Sequence, residues 1–196
     1  MYVEKKSEYQ NNPVIKSKIE VLAGGATIAA ADFDTTGFSE LKAGAIVGED
    51  SNGLFHALKT TKVYAAVASD ATKVQVLKDK AHGIIVGDII VDTGKTLKAV
   101  TVSAINTSND DYDEITISAA MGALAKGDVI IIASAVADAG AGEYKVTPVG
   151  VTINPVDLTK DNQPVGVLLR GSVCEANMPQ YVDATAKKLL PLILFQ

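Results

Sequence analysis

The sequence contains no tryptophan, a single cysteine and few aromatic residues, which make up 5% of the chain. The core must therefore be built from small aliphatic side chains, and a sugar-binding surface of stacked aromatic rings is disfavoured. Cys174 has no second cysteine to pair with, so an intrachain disulfide is excluded and a zinc site would need other ligands. We interpret Cys174 as a small hydrophobic residue of the interior.

The chain also lacks an excess of positive charge and a long apolar run. Its 18 basic and 23 acidic residues leave a net charge of −5. Phosphate binding needs clustered Lys and Arg, so no nucleic-acid partner is expected. The longest apolar run, 189–195, is far shorter than the roughly 20 residues that span a bilayer. The first ten residues lack the apolar segment of a secretory signal. We therefore expect no membrane contact and synthesis in a cytosol.

Residues with catalytic or metal-binding chemistry are sparse. His56 and His82 are the only histidines, and neither has a second ligand residue at a metal-binding spacing. No Gly-x-Ser-x-Gly turn surrounds any serine. A triad assembled from distant residues stays open, because such triads are recognised by geometry. The sequence predicts no enzyme activity, no cofactor and no metal site.

One acidic segment, 109–114, holds four carboxylates in six residues. Carboxylate oxygens are the ligands that calcium prefers, but the spacing differs from that of an EF-hand loop. We interpret the segment as a solvated hairpin tip, and weak cation binding stays open.

The distribution of apolar residues predicts a mainly β fold. Between residues 61 and 136, apolar and polar positions alternate in short runs, which predicts a small β-barrel of about six strands. Two pairs, Gly87-Asp88 and Gly127-Asp128, each open a β-branched run. The glycine permits a tight turn and the carboxylate can bind nearby backbone amides. Such strand openers are frequent in small SH3-like and OB-like barrels.

The two ends of the chain differ from this central part. Residues 1–20 show neither the helical nor the strand period and predict an extended arm. Residues 21–60 predict short strands, with a tight turn at Asn52-Gly53. Residues 137–196 add strands and a short helix that ends before Pro191. We therefore predict that 21–60 and 137–196 form one β-rich unit, with the barrel of 61–136 inserted in it or following it.

Two C-terminal passages carry a family resemblance. The sequence QPVGVLLRGSVCEANMP over 163–179 and LLPLILF over 189–195 resemble the endings of head-fibre and capsid-decoration proteins of tailed bacteriophages. The hairpin over 41–58 looks like the first part of such a unit, and 85–132 resembles a small β domain in such proteins from phages of gut bacteria. The resemblance implies a homo-oligomer, a trimer, whose terminal unit binds the capsid while the inserted domain projects.

We therefore expect a virion structural protein on the outer capsid surface, with the major capsid protein as its partner. The expected self-association residues are Arg170, Leu192, Ile193, Leu194 and Phe195. The expected capsid contacts lie in the arm, at Tyr2, Tyr9, Pro13 and Ile15. The alternative is a carbohydrate- or host-surface-binding β module in which the barrel contacts a glycan.

Overall fold

The fold is mainly β, with a short helix near the C-terminus, as the sequence predicts. The computed structural model describes residues 13–92, 98–137 and 143–196. These residues form two large sheets, a two-stranded ribbon and the helix α1 (Ala184–Leu189). In chain order the strands are β1 (Ile15–Val21), β2 (Ala26–Ile28), β3 (Glu40–Leu41), β4 (Ile46–Glu49), β5 (Phe55–Ala57), β6 (Thr60–Lys62), β7 (Lys73–Leu77), β8 (Ile89–Asp92), β9 (Val100–Asn106), β10 (Tyr112–Ile117), β11 (Val129–Ile132), β12 (Pro148–Thr152), β13 (Val156–Asp157), β14 (Gln163–Val165), β15 (Val167–Val173) and β16 (Ile193–Phe195).

The larger sheet has eight strands and is built from both ends of the chain. Its order is β1-β15-β12-β4-β5-β2-β14, and β16 pairs with β15. Val47 belongs to one apolar cluster together with Leu41 of the ribbon. Its neighbour Ile46 belongs to a second cluster, together with Ala186 of α1. Adjacent residues of a strand point to opposite faces, so the central strands of this sheet are covered on both sides.

The smaller sheet comes from residues 60–132, in the order β6-β11-β8-β9-β10-β7. Its two end strands approach each other, because Val63 and Val76 form a bridge and Tyr64 N–H donates to Gln75 O at 2.8 Å. The alternating residues of β7 and β10, such as Val74 and Ile115, are fully buried in its interior. The predicted boundaries at 61 and 136 lie close to the two ends of this sheet.

The predicted turn at Asn52-Gly53 is confirmed. It joins the antiparallel strands β4 and β5, and Gly53 has a φ of 82°. The Asp50 carboxylate accepts hydrogen bonds from Asn52 N–H and Leu54 N–H, both at 2.9 Å. A positive φ at glycine and an aspartate that binds its own turn are local effects, which explains why the sequence predicts them well.

The C-terminal helix is also confirmed. Asp183 is its N-cap and accepts from Ala186 N–H at 3.0 Å, and Lys187 and Lys188 lie in its last turn. Both placements favour the helix dipole. After Pro191 the chain forms β16, which runs parallel to β15.

Two expectations need correction. Residues 15–20, predicted to belong to an extended arm without a strand period, instead form most of β1, which pairs antiparallel with β15. The alternation is present in the sequence, but β1 is exposed on both faces, so its pattern lacks the apolar face that marks most strands. Cys174, expected in the interior, is half-buried.

Candidate functional site

The predicted self-association residues meet at one corner of the larger sheet. β15 pairs with β1 along one side, whereas its other side is shared by β12 and β16. Gly171 of β15 lies opposite Ile193, and its N–H donates to Leu192 O at 3.2 Å. Arg170 and Leu192, one position earlier on each segment, therefore lie next to each other.

The side chains at this corner differ in exposure. Leu192 and Leu194 are 57% and 59% exposed, and Arg170 is exposed as well. Ile193 points the other way and is only 5% exposed, within the apolar cluster beneath the sheet. Phe195 packs partly against the same cluster. We call Arg170, Leu192 and Leu194 the C-terminal patch, because these three side chains are available to another molecule while Ile193 is not.

The predicted capsid contacts are only partly described. Tyr2 and Tyr9 lie outside the described residues. Pro13 is exposed, whereas Ile15 begins β1 opposite Val173 and packs partly on the chain's own core.

A cleft of about 720 Å³ separates residues 34–38 of the larger unit from the smaller sheet. Its apolar wall includes Phe38, Ile85 and Ile105, and a polar cluster of Lys78, His82 and Asp113 lies at one side. Apolar clefts with a few polar groups are common ligand sites. Whether this one offers polar contacts depends on what those three side chains already bind.

The polar atoms of this cluster bind one another. His82 Nδ1 accepts from Ile84 N–H at 3.0 Å, so Nε2 carries the proton and donates to Asp113 Oδ2 at 3.1 Å. Asp113 Oδ1 lies 3.1 Å from Lys78 Nζ, which also donates to the carbonyls of Thr107 and Asn109. Burial lowers the pKa of His82, against the opposing effect of Asp113. The cluster therefore holds a neutral imidazole and joins the residues after β7 to the β9–β10 hairpin.

The second histidine is part of another polar network. His56 Nδ1 lies 2.6 Å from Asp32 Oδ2, and its Nε2 lies 3.5 Å from Asp50 Oδ2. Asp32 also accepts from Lys145 Nζ at 2.8 Å. Burial alone would raise the pKa of Asp32, but the hydrogen bonds from Lys145 and His56 outweigh it and lower that pKa. This network joins the turn after β2 to β5 and to the segment before β12.

The acidic segment 109–114 is divided between a loop and a strand. Asp113 and Glu114 lie on β10, where Asp113 faces Lys78 and Glu114 accepts from Lys73 at 2.6 Å. Asp110 and Asp111 are exposed in the hairpin loop. Within the described ranges, no group of three or more His, Cys, Asp or Glu side chains is placed to hold a metal ion.

Sequence reasoning missed two histidine–carboxylate contacts between distant parts of the chain. His82 and Asp113 are 31 residues apart, and His56 and Asp32 are 24 apart. No spacing rule links residues at such separations, so no local signal was available. The contacts follow from which strands become neighbours in the folded chain.

Neither a known protein family nor a curated protein sequence matches this chain. Among the described residues, no helix is both long and apolar enough to cross a membrane.

Proposed function

We propose that this chain is a virion structural protein, a head-fibre or decoration protein of a tailed bacteriophage that forms a homo-oligomer on the capsid surface. The observation that carries the proposal is the C-terminal patch. Leu192 and Leu194 project from the same segment as the buried Ile193, so a segment anchored in the core presents two large apolar side chains to solvent. Exposed apolar groups of this kind favour contact with another protein surface.

The polar clusters support an assembly role over a catalytic one. His82, Asp113 and Lys78 bind one another and nearby backbone groups, and His56 binds two aspartates. A general base needs a nitrogen or oxygen within reach of a substrate proton, whereas these atoms already hold separate segments of the chain together. The partner in this proposal is the major capsid protein, and the larger sheet with its N-terminal residues is the part that binds it.

The first test is the mass of the chain in solution, measured by light scattering. Removing 192–196 would also remove the buried Ile193, so the sharper variant is Leu192→Ser with Leu194→Ser. The matched control is Val86→Ser with Val136→Ser, because both valines are 59% exposed and lie outside the patch. We expect the native protein and the control to assemble in units of three chains, and the patch variant to lose the three-chain unit.

A native protein that stays monomeric, or a patch variant that keeps the native mass, would overturn the self-association part of the proposal. The location is tested separately by electron microscopy of virions of the encoding phage, labelled with an antibody against residues 60–132. The label is expected on the head. Label on the tail, or none on intact particles, would contradict a capsid decoration role.

The cleft beside Phe38 favours a second candidate, a carbohydrate- or host-surface-binding module. Its volume of about 720 Å³ suits a small ligand, but its polar side chains are engaged within the chain. A glycan array probed with the whole protein separates the two proposals. Specific binding that Phe38→Ala abolishes would favour the module, whereas no binding would leave the assembly role as the better explanation.

A further inference from the structure

β1 has an edge that the described strands leave unpaired. It is the end strand of the larger sheet, and no described strand pairs with its outer side. Every residue from Lys16 to Val21 is exposed, so neither face of the strand is covered. An edge strand can pair with another chain, and the charged side chains and β-bulges of β1, at Lys16 and Ile19, limit that pairing to a complementary strand.

The order of charged residues along β1 indicates which kind of strand could pair with its open edge. Lys18 and Glu20 stand on either side of Ile19, which is 66% exposed. Lys18 lies opposite Gly171 and Glu20 opposite Arg170, so Ile19 is the extra residue of a β-bulge and has no partner residue on β15. A strand that carries a lysine and a glutamate at equal distances from one residue is complementary to an antiparallel copy of itself.

We infer that the open edge of β1 pairs antiparallel with β1 of a second copy, about a two-fold axis at Ile19. Lys18 then lies opposite Glu20 of the partner subunit, and the same contact occurs again on the other side of the axis. Ile19 lies opposite its own equivalent, and Ser17 lies opposite Val21 of the partner subunit. Opposite charges facing each other across two strands are stabilising. An axis at Lys18 would also pair Lys16 with Glu20, but it would place two lysines opposite each other at the axis. The charges therefore favour one register.

This contact uses a different surface from the C-terminal patch. β15 lies between β1 and β16 in the sheet, so the open edge of β1 faces away from Leu192 and Leu194. A two-fold contact joins copies in pairs. The inference extends the proposed assembly role: the patch forms the oligomer, and β1 links one oligomer to the next.

Single cysteines test the register. In a Cys174→Ser background, Ile19→Cys is expected to form a disulfide-linked dimer on mild oxidation. Ser17→Cys alone is the matched control, because two copies of residue 17 would be roughly 14 Å apart at ~3.4 Å per residue, beyond disulfide reach. A mixture of Ser17→Cys and Val21→Cys chains is expected to cross-link. Equal cross-linking of Ile19→Cys and Ser17→Cys would overturn the inference.

Charge reversal tests the pairing energy. Lys18→Glu and Glu20→Lys should each weaken the two-fold association about tenfold or more, because each replaces two attractive contacts by two repulsive ones. The double variant, Lys18→Glu with Glu20→Lys, should restore the two-fold association. Lys16→Glu should weaken that association less than either single reversal, because residue 16 faces Leu22 of the partner subunit. A double variant no stronger than the single variants would contradict this pairing.

These results are separable from those of the proposed function. If β1 pairing fails, the mass of three chains persists and only the larger species are lost. If the oligomer fails, the chain with Leu192→Ser and Leu194→Ser still forms β1-linked dimers. Cross-linking at Ile19 that appears only after residues 1–12 are removed would show that the chain's own N-terminus covers this edge, and would overturn the inference.

Discussion

Single polar residues connect segments that are distant in the sequence. His82 is the clearest case, because both ring nitrogens have partners, one on the backbone of Ile84 and one on Asp113. A neutral imidazole fits these contacts, since Nδ1 must accept a hydrogen bond while Nε2 donates one. Protonation of Nδ1 would place a second donor against the Ile84 N–H.

This geometry predicts a pH-dependent stability. The pKa of His82 in the folded protein lies below its ordinary value of 6.5, so the unfolded chain takes up a proton first as the pH falls. Stability is then complete above about pH 7 and declines below 6.5, by at most about 1.4 kcal/mol per pH unit. Urea unfolding at pH 7.5, 6.5 and 5.5 measures the slope.

The control is His82→Gln, which should remove this slope although it lowers stability overall. The pKa of Asp32 is lowered and that of Asp50 lies at about 2, so these carboxylates titrate below the window. Equal slopes for the native protein and His82→Gln would refute the assignment to His82.

At the scale of elements, the two Gly-Asp turns are near copies of each other. Gly87 and Gly127 have φ angles of 95° and 91°. Asp88 accepts from Ile85 N–H at 2.9 Å, and Asp128 accepts from Ala125 N–H at 2.7 Å. The two turns open β8 and β11, which are neighbours in the smaller sheet. Each carboxylate binds the amide three residues before it, so the same short sequence produces the same turn twice.

The Asp88 carboxylate also binds a buried cation. Lys59, which is 4% exposed, places Nζ 2.8 Å from Asp88 Oδ2. Burial lowers the pKa of Lys59, and Asp88 opposes that effect. An isolated charge at this position would be costly, because it could not regain its hydration. Asp88 therefore both forms the turn and compensates a buried cation.

Replacing each aspartate by asparagine separates these roles, since the amide oxygen can still accept the backbone hydrogen bond. Asp88→Asn should lower the free energy of unfolding by about 3–5 kcal/mol, because it leaves Lys59 buried without its carboxylate. Asp128→Asn, the same change in the twin turn, leaves Lys59 with its carboxylate and should cost about 1 kcal/mol. Denaturant titration measures both.

Adding Lys59→Met to Asp88→Asn should recover part of the loss, because the buried charge is then gone. If the double variant is no more stable than Asp88→Asn, the ion pair is not the cause of the difference between the turns.

At the scale of the whole molecule, residues 178–183 connect the two sheets. The Gln180 side chain accepts from Ile46 N–H at 2.6 Å and donates to Leu58 O. Tyr181 N–H donates to the hydroxyl of Thr60, where the smaller sheet begins. Lys80 Nζ donates to Met178 O at 2.8 Å. This segment therefore contacts β4 of the larger sheet, the start of the smaller sheet and the loop after β7.

We expect the two sheets to unfold together. Calorimetry of the native protein should show one transition, with equal calorimetric and van't Hoff enthalpies. Gln180→Ala should lower stability by about 2–5 kcal/mol, because it leaves two buried backbone groups without partners. Gln163→Ala is the control: the Gln163 side chain binds the nearby carbonyl of Asp161, and its loss should change stability by less than about 0.5 kcal/mol. Two separate transitions in the native protein would show that this segment does not couple the sheets.

Local chemistry made several elements predictable. The turn at Asn52-Gly53, the strand openers at Gly87 and Gly127 and the helix capped by Asp183 each depend on residues within a few positions of one another. Dense alternation likewise placed β7 and β10, because each strand buries one face. The mainly β class and the terminal helix follow from such signals.

The sequence alone did not predict which strands pair with each other. Alternation shows that 167–173 is a strand, but not that β1, β12 and β16 all pair with it. The apolar run 192–195 suggested four equivalent interface residues, whereas pairing with β15 buries Ile193 and leaves Leu192 and Leu194 exposed. Periodicity depends on residues two to four positions apart, while the pairings of β15 join residues 15 or more positions apart, as Thr152 and Val167 do. Which strands pair depends on how all of them pack together. That packing also produces the C-terminal patch, the open edge of β1 and the contacts of His82 with Asp113 and of His56 with Asp32.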